Sequence, residues 1–410
     1  MTTKTFGRRG AAQQIARPLP PSNTTAAVQT DAPDQWSDAQ AFEGHVVEKS
    51  LIADLPLLTA GLIVFLMLIF ALEKRLAFDI GKDGNLSVQS LVAFGAVSYD
   101  LVVGSGQWWR IALAPLLHAS AWHLAGNCFA LFFVGMRLEP MIGRGWFALI
   151  FMISALGGVL GSLLGNPPDM PSVGASGAIT GLIGALFVVS FHHRADKVDQ
   201  RAMRLTSLRF GIPALLPLIF ASSGETDYCA HAGGAIAGAA LGLMLSTIWA
   251  SDRARPDFAR FATMAALTGL AVSILSAGIA SGRYAAYAAD AAQLIPSAQM
   301  PATLKAGPKR SAELLARYPR DPRAHLLQAF AFAEANRYLE AEAELRNTMA
   351  LASPDAGGRM IRNQAQAILA LVLVEQGRRY EARTLAAAGP CRASGQAAIR
   401  RMLVKEKLCD

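Results

Sequence analysis

The chain has 410 residues, 53% of them hydrophobic and only 17% charged, with a mean hydropathy of +0.32. Charged residues make up roughly a quarter of a typical soluble protein, so the composition argues against an ordinary soluble globule and for a chain embedded in a bilayer. The net charge of +8 does not mark a nucleic-acid binder, because the basic residues cluster beside apolar runs, as in "HHRADKVDQRAMRLTSLR" and "SDRARPDFAR". That is the pattern of short loops retained on the cytoplasmic side of a membrane.

Residues 1–50 are polar and Pro-containing, without the apolar core of a cleavable signal peptide, and are expected to form a disordered cytoplasmic tail. The first apolar run, Leu55–Leu72, then serves as an uncleaved signal-anchor and leads outward into a long segment, Glu73–Arg110. Further runs follow at Ala119–Met136, Trp146–Leu164, Ala178–Phe191, Phe210–Ser222, Ala230–Ala250 and Phe261–Ala280, for an expected seven spans. Alternation places "RLEPMIGRG", the His192–Arg209 segment and "SDRARPDFAR" in the cytoplasm, and "GNPPDMPSVGASG" and "SSGETD" outside. The exception is the group Lys74, Arg75 and Lys82 in the long first loop, where the charge rule is weaker.

Polar groups inside spans are functional candidates by default. In the second run, "HASAWHLAGNCFALFFVG", His123 and Asn127 lie four apart on one helical face, with His118 five residues earlier. They could stabilise an oxyanion or act as an interhelical polar clamp. Ser176 stands in Gly-Ala-Ser-Gly at the start of the fourth run, where Gly174 and Gly177 permit close backbone approach and free N–H groups at a helix N-terminus. The alternative is a small-residue packing motif. His231 opens the sixth run in "HAGGAIAGAALG", whose Gly234, Gly238 and Gly242 form a ridge matching Gly181 and Gly184 of the fourth. Two glycine faces in contact would bring a hydroxyl and an imidazole together, the arrangement of serine hydrolysis. A lone histidine could equally cap its helix. No carboxylate is evidently placed as a third member, which favours a dyad.

Taken together, these residues resemble the rhomboid family of intramembrane serine proteases, over about Leu55 to Ala250. The resemblance rests on "WWR" before the second run, the H-x4-H-x3-N pattern of His118, His123 and Asn127, Glu139 in the following turn, "GASG" and "HAGGAIAG". It implies Ser176 as nucleophile and His231 as base. It also implies an oxyanion site at Asn127, His123, the Ser176 N–H and Gly174, with His118, Arg110, Glu139, Gly177 and Gly234 in support. No cofactor or metal is implied, and the substrates are transmembrane proteins within the lipid bilayer. One departure is Thr180, where the family often carries an aromatic residue beneath the histidine. Support for the His231 ring is then expected from another side chain.

From about residue 300 the composition becomes that of a soluble helical region. The matched stretches "EANRYLEAEAEL" and "EQGRRYEARTL" resemble tetratricopeptide-type helical repeats, which imply a protein partner. An ordinary helical bundle is the alternative. Cys391 and Cys409 bracket the last helix-like stretch and are expected to form a disulfide, while Cys128 and Cys229 fall in or beside spans.

The expected fold is all-α: a polytopic membrane helical bundle of rhomboid type, with a six-helix core at 51–250, a seventh span at 251–281 and a helical repeat domain at 300–410. The expected activity is cleavage of transmembrane helices near the outer face of a bacterial inner membrane, with the C-terminal domain extracytoplasmic. A non-proteolytic rhomboid-like binder and a membrane-anchored adaptor are the competing classes.

Overall fold

The computed structural model describes residues 55–192, 197–215, 226–250, 252–301, 310–352, 356–391 and 397–409. The expected tail at residues 1–50 lies outside them. Within them the structure is helical, with only isolated bridges, Ile80 with Leu86 and Val97 with Ser172, in place of strands.

The first helix, α1 (Leu57–Leu76), runs one turn past the expected apolar run and so takes in Glu73. A short α2 (Val88–Phe94) and a turn of α3 (Arg110–Leu113) follow in the long first loop. α3 and the 3-10 turn after it meet α4 (Ala121–Ile142) at an angle of 86°. α4 continues through Pro140, so the expected turn around Glu139 shrinks to Gly143, whose φ of +82° only glycine adopts readily. Then come α5 (Arg144–Gly165), α6 (Ser176–Val189), α7 (Lys197–Leu215), α8 (Tyr228–Ile248) and α9 (Ala259–Ala291).

Among the described residues, four helices (α1, α5, α8 and α9) are long and apolar enough to cross a membrane, or five if the bent α3–α4 pair counts as one span. This is a multi-pass membrane protein. α6 is shorter, with 14 residues, about 20 Å at 1.5 Å per residue. The helix at the expected fifth span begins at Lys197, well before Phe210, because the basic stretch before that run is itself helical. The rest of that span, 216–222, lies outside the described residues.

α6 is the hub of the membrane bundle. Residues from Gly177 to Val189 are buried almost all round, and Leu182 and Leu186 join a core with Leu131, Leu138, Phe147 and Ile150. Its neighbour α8 comes close because glycines meet. A Cβ on Gly177 would lie 3.1 Å from Gly158 Cα and 3.3 Å from the Ala230 carbonyl, and Gly184 faces the Ala235 carbonyl. The glycine face of α5 (Gly157, Gly158 and Gly161) completes the contact against Ala230, Cys229 and Gly233. Its spacing in "LGGVLGSLLG" carries the signal, although the expected pairing involved only the fourth and sixth spans.

α9 has 33 residues and, at about 50 Å, far exceeds the expected seventh span. It continues as one helix past the hydrocarbon depth to Ala291. Beyond it, α10 (Ser311–Arg317), α11 (Pro322–Glu334), α12 (Tyr338–Leu351), α13 (Ala356–Glu375) and α14 (Arg379–Ala388) pack in succession, followed by α15 (Ala397–Lys405). The two matched sequence stretches form like turns. Asn336 and Gly377 both take positive φ, and the next N–H reaches back to Phe332 in one and to Leu373 in the other. Cys391 and Cys409 are disulfide-bonded, with Cα atoms 5.6 Å apart.

Candidate active site

Three segments converge at the start of α6. The approach to Ser176 is held by the bridge of Ser172 with Val97 and by the Gly174 N–H, which donates to the Ala114 carbonyl at 2.9 Å. Gly174 has φ of +123°, and a Cβ there would lie 2.7 Å from the His123 ring and 3.6 Å from Asn127 Nδ2. A side chain is thus excluded twice over, by conformation and by space. Ser176 is the first residue of α6 and is half-buried. The first helical bond runs from the Ile179 N–H to the Ala175 carbonyl, leaving the N–H groups of Ser176, Gly177 and Ala178 outside the helical ladder.

His231 lies in the first turn of α8 and is 8% exposed. Its Nδ1 is 2.8 Å from the Ala214 carbonyl at the end of α7. Tyr228 sets its ring edge-to-face against the imidazole, centroids 5.8 Å apart, so an aromatic neighbour comes from α8 itself. Thr180 acts on the backbone instead, its hydroxyl 3.0 Å from the His231 carbonyl and 2.9 Å from that of Gly177. Asp227, the nearest carboxylate in sequence, caps α8 through the Ala230 N–H and accepts from the Ser172 hydroxyl at 2.6 Å. A backbone carbonyl, rather than an acid, therefore orients the ring.

On α4, Asn127 Nδ2 is 3.0 Å from His118 Nε2, and the His118 and His123 rings are 5.2 Å apart. His118 is fully buried, and its backbone N–H points at the Glu73 carboxylate at 3.3 Å. Sequence reasoning missed Glu73 because the apolar run stops one residue before it. Only the extra helical turn carries it to the buried side.

Arg110 and Glu139 hold the frame. Arg110, 0% exposed, donates to the Val92 and Ala96 carbonyls, to Gln107 and to Tyr287 of α9. Glu139 accepts from the Leu58 and Thr59 N–H groups and the Thr59 hydroxyl, and so caps the start of α1. Gly177 and Gly234 set the distance between α6 and α8, since a Cβ on Gly234 would strike the Gly177 carbonyl.

Residues 105–248 match the rhomboid domain. The chain is 38% identical to the rhomboid protease GluP of Bacillus subtilis over 184 residues, which is 44% of this chain and 35% of that one. It is 32% identical to the rhomboid protease AarA of Providencia stuartii (38% of this chain, 61% of the relative) and 34% identical to RHOMBOID-like protein 1 of Arabidopsis thaliana (42% and 43%). The matched stretch thus spans less than two thirds of each of these relatives, and no solved structure matches the chain. On these matches, the stretch from residue 105 to residue 248 is similar to the rhomboid domain and to the corresponding part of the rhomboid proteases.

Proposed function

We propose that the chain is an intramembrane serine endopeptidase that cleaves transmembrane proteins, with Ser176 as nucleophile and His231 as base. The observation that carries this reading is the backbone contact between the first turns of α6 and α8, with His231 Nδ1 engaged by the Ala214 carbonyl. A carbonyl only accepts, so the neutral ring keeps its proton on Nδ1 and offers Nε2 to the serine.

In the proposed cycle Nε2 takes the Ser176 hydroxyl proton as Oγ adds to the scissile carbonyl. Negative charge on the carbonyl oxygen is met by the Ser176 N–H, at the positive end of α6, and by Asn127 and His123 beside Gly174. The imidazolium then protonates the leaving amine, and water hydrolyses the acyl-enzyme by the reverse sequence. A substrate helix hides its amides in internal hydrogen bonds, so it must unwind locally before attack. Basic loops and short α6 support an outward-facing site in a bacterial inner membrane, with the helical region after α9 as an extracytoplasmic, tetratricopeptide-like module.

The test is labelling of the full-length protein in membranes with a fluorophosphonate probe, alongside cleavage of a transmembrane substrate carrying a helix-breaking segment. Labelling and cleavage that disappear in Ser176→Ala and His231→Ala, with insertion intact, are the expected result. Full cleavage by either variant defeats the dyad. A chain that binds the substrate but neither labels nor cleaves is the non-proteolytic binder.

A further inference from the structure

One buried carboxyl lies beside the candidate site and takes no part in the cycle proposed above. Glu73, in the last turn of α1, is 3% exposed. Withdrawing a carboxyl from water is costly unless donors surround it, and an ionisable side chain buried within a membrane bundle calls for a task and a partner. Among the described residues its side chain has one hydrogen-bond donor, the His118 backbone N–H, 3.3 Å from Oε2 and 3.4 Å from Oε1. If packing were all that the position served, leucine would fill it at lower cost.

The need for an acceptor comes from the bend that precedes α4. The 3-10 turn after α3 ends at Leu116, Leu117 is extended with ψ of 153°, and α4 starts at Ala121 after an extended Ser120. The chain turns through 86° there, so the His118 N–H has no helical carbonyl to reach. Buried backbone N–H groups are almost always paired, and His118 is 0% exposed. Glu73 supplies the acceptor from a distant segment. At the next residue the Leu86 N–H donates to the Ala119 carbonyl at 2.9 Å. α1 and the first loop thus hold the corner at two successive residues.

That corner carries part of the candidate site. His118 Nε2 is 3.0 Å from Asn127 Nδ2, and the His118 ring centroid is 5.2 Å from that of His123. Asn127 and His123 are the two side chains closest to where a Cβ of Gly174 would lie. A shift of the His118 backbone would move its ring and, with the ring, the amide beside it.

We propose that Glu73 is a positioning residue: by accepting from the His118 N–H it fixes the His118 ring and, through that ring, the Asn127 amide. The catalytic consequence rests on the proteolytic reading above, in which Asn127 meets the oxyanion. The hydrogen bond itself rests on the geometry of the corner.

Cleavage kinetics and backbone hydrogen exchange of the full-length protein in detergent micelles test the proposal. Glu73→Leu keeps the bulk and removes the acceptor. Its kcat is expected to fall roughly tenfold with KM unchanged, the size of effect of one lost hydrogen bond. Glu73→Gln retains an oxygen that accepts and should restore turnover. In an Asn127→Ala background, Glu73→Leu should cost little more, because both changes act on one donor. Exchange over residues 117–120 should rise in Glu73→Leu and not in Glu73→Gln. Unchanged kcat in Glu73→Leu overturns the proposal. So does an equal loss in Glu73→Gln, or a full further loss in the Asn127→Ala background. An unmodified protein that does not cleave defeats the proteolytic reading instead, and exchange at 117–120 then decides whether Glu73 holds His118.

Discussion

Because the Ala214 carbonyl can only accept, the hydrogen bond to His231 Nδ1 selects one tautomer without any acid. The nearest acid, Asp227, is occupied with Ala230 and Ser172, so its work is to fix the helix start and the strand-like approach to Ser176. Asn127 is placed differently, its Nδ2 3.0 Å from His118 Nε2 and 3.6 Å from where a Cβ of Gly174 would lie. Asn127→Ala should therefore lower kcat while leaving KM within about twofold. A lost oxyanion donor costs ~10²–10³ in a soluble protease, and roughly 10- to 100-fold is expected here because His123 and the Ser176 N–H remain. A change in KM alone would mean that Asn127 only clamps α4 through His118.

At the scale of the element, the contact between α6 and α8 depends on the absence of side chains. Gly234→Leu would drive a branched side chain into the Gly177 carbonyl, and overpacking of this kind costs about 1–3 kcal/mol or more. Loss of both thermal stability and cleavage is expected. Ile236→Leu, at a lipid-facing position 71% exposed on the same helix, should be neutral in the same two assays. In the C-terminal region, the disulfide closes an 18-residue separation and ties α15 to the preceding helices. A loop of this size contributes about 3 kcal/mol in the chain-entropy model, so Cys409→Ser should lower the unfolding midpoint of that region and expose one free thiol. An impermeant maleimide that reaches Cys391 and Cys409 in intact cells, after reduction only, would also support the extracytoplasmic location.

Across the whole molecule, α9 links the membrane bundle to the helices beyond it. Tyr287 of α9 binds Arg110, and the Ser297 N–H and hydroxyl donate to Asp79 at 2.9 and 2.6 Å. Arg359 of α13 pairs with Asp100, whose own N–H donates to the Pro168 carbonyl. Three residues before Asp100, Val97 pairs with Ser172 in the approach to Ser176. The C-terminal helices therefore brace the first loop, and that loop braces the candidate nucleophile. Exposed pairs contribute at most ~1 kcal/mol each, so Asp79→Ala with Arg359→Ala should shift the docked state by up to roughly 30-fold. Faster hydrogen exchange at residues 96–100 and 168–174 is the expected readout. Unchanged exchange there would show that α9 alone carries the brace.

Embedding in the membrane, the order of most spans and the candidate pair Ser176 and His231 were legible in the sequence, since each is written in local composition or short-period spacing. Apolar runs of span length, basic loops and glycines every four residues need no knowledge of neighbours. The turn at Asn336 and Gly377 and the bridging cysteines were legible for the same reason. The burial of Glu73, the glycine face of α5 against α8, the reach of α9 to Arg110 and the carbonyl that orients His231 were decided by the tertiary structure. Each depends on which helix face meets which neighbour and on which backbone carbonyl stands free at the contact. Those are properties of packing between segments far apart in the chain, and no local pattern encodes them.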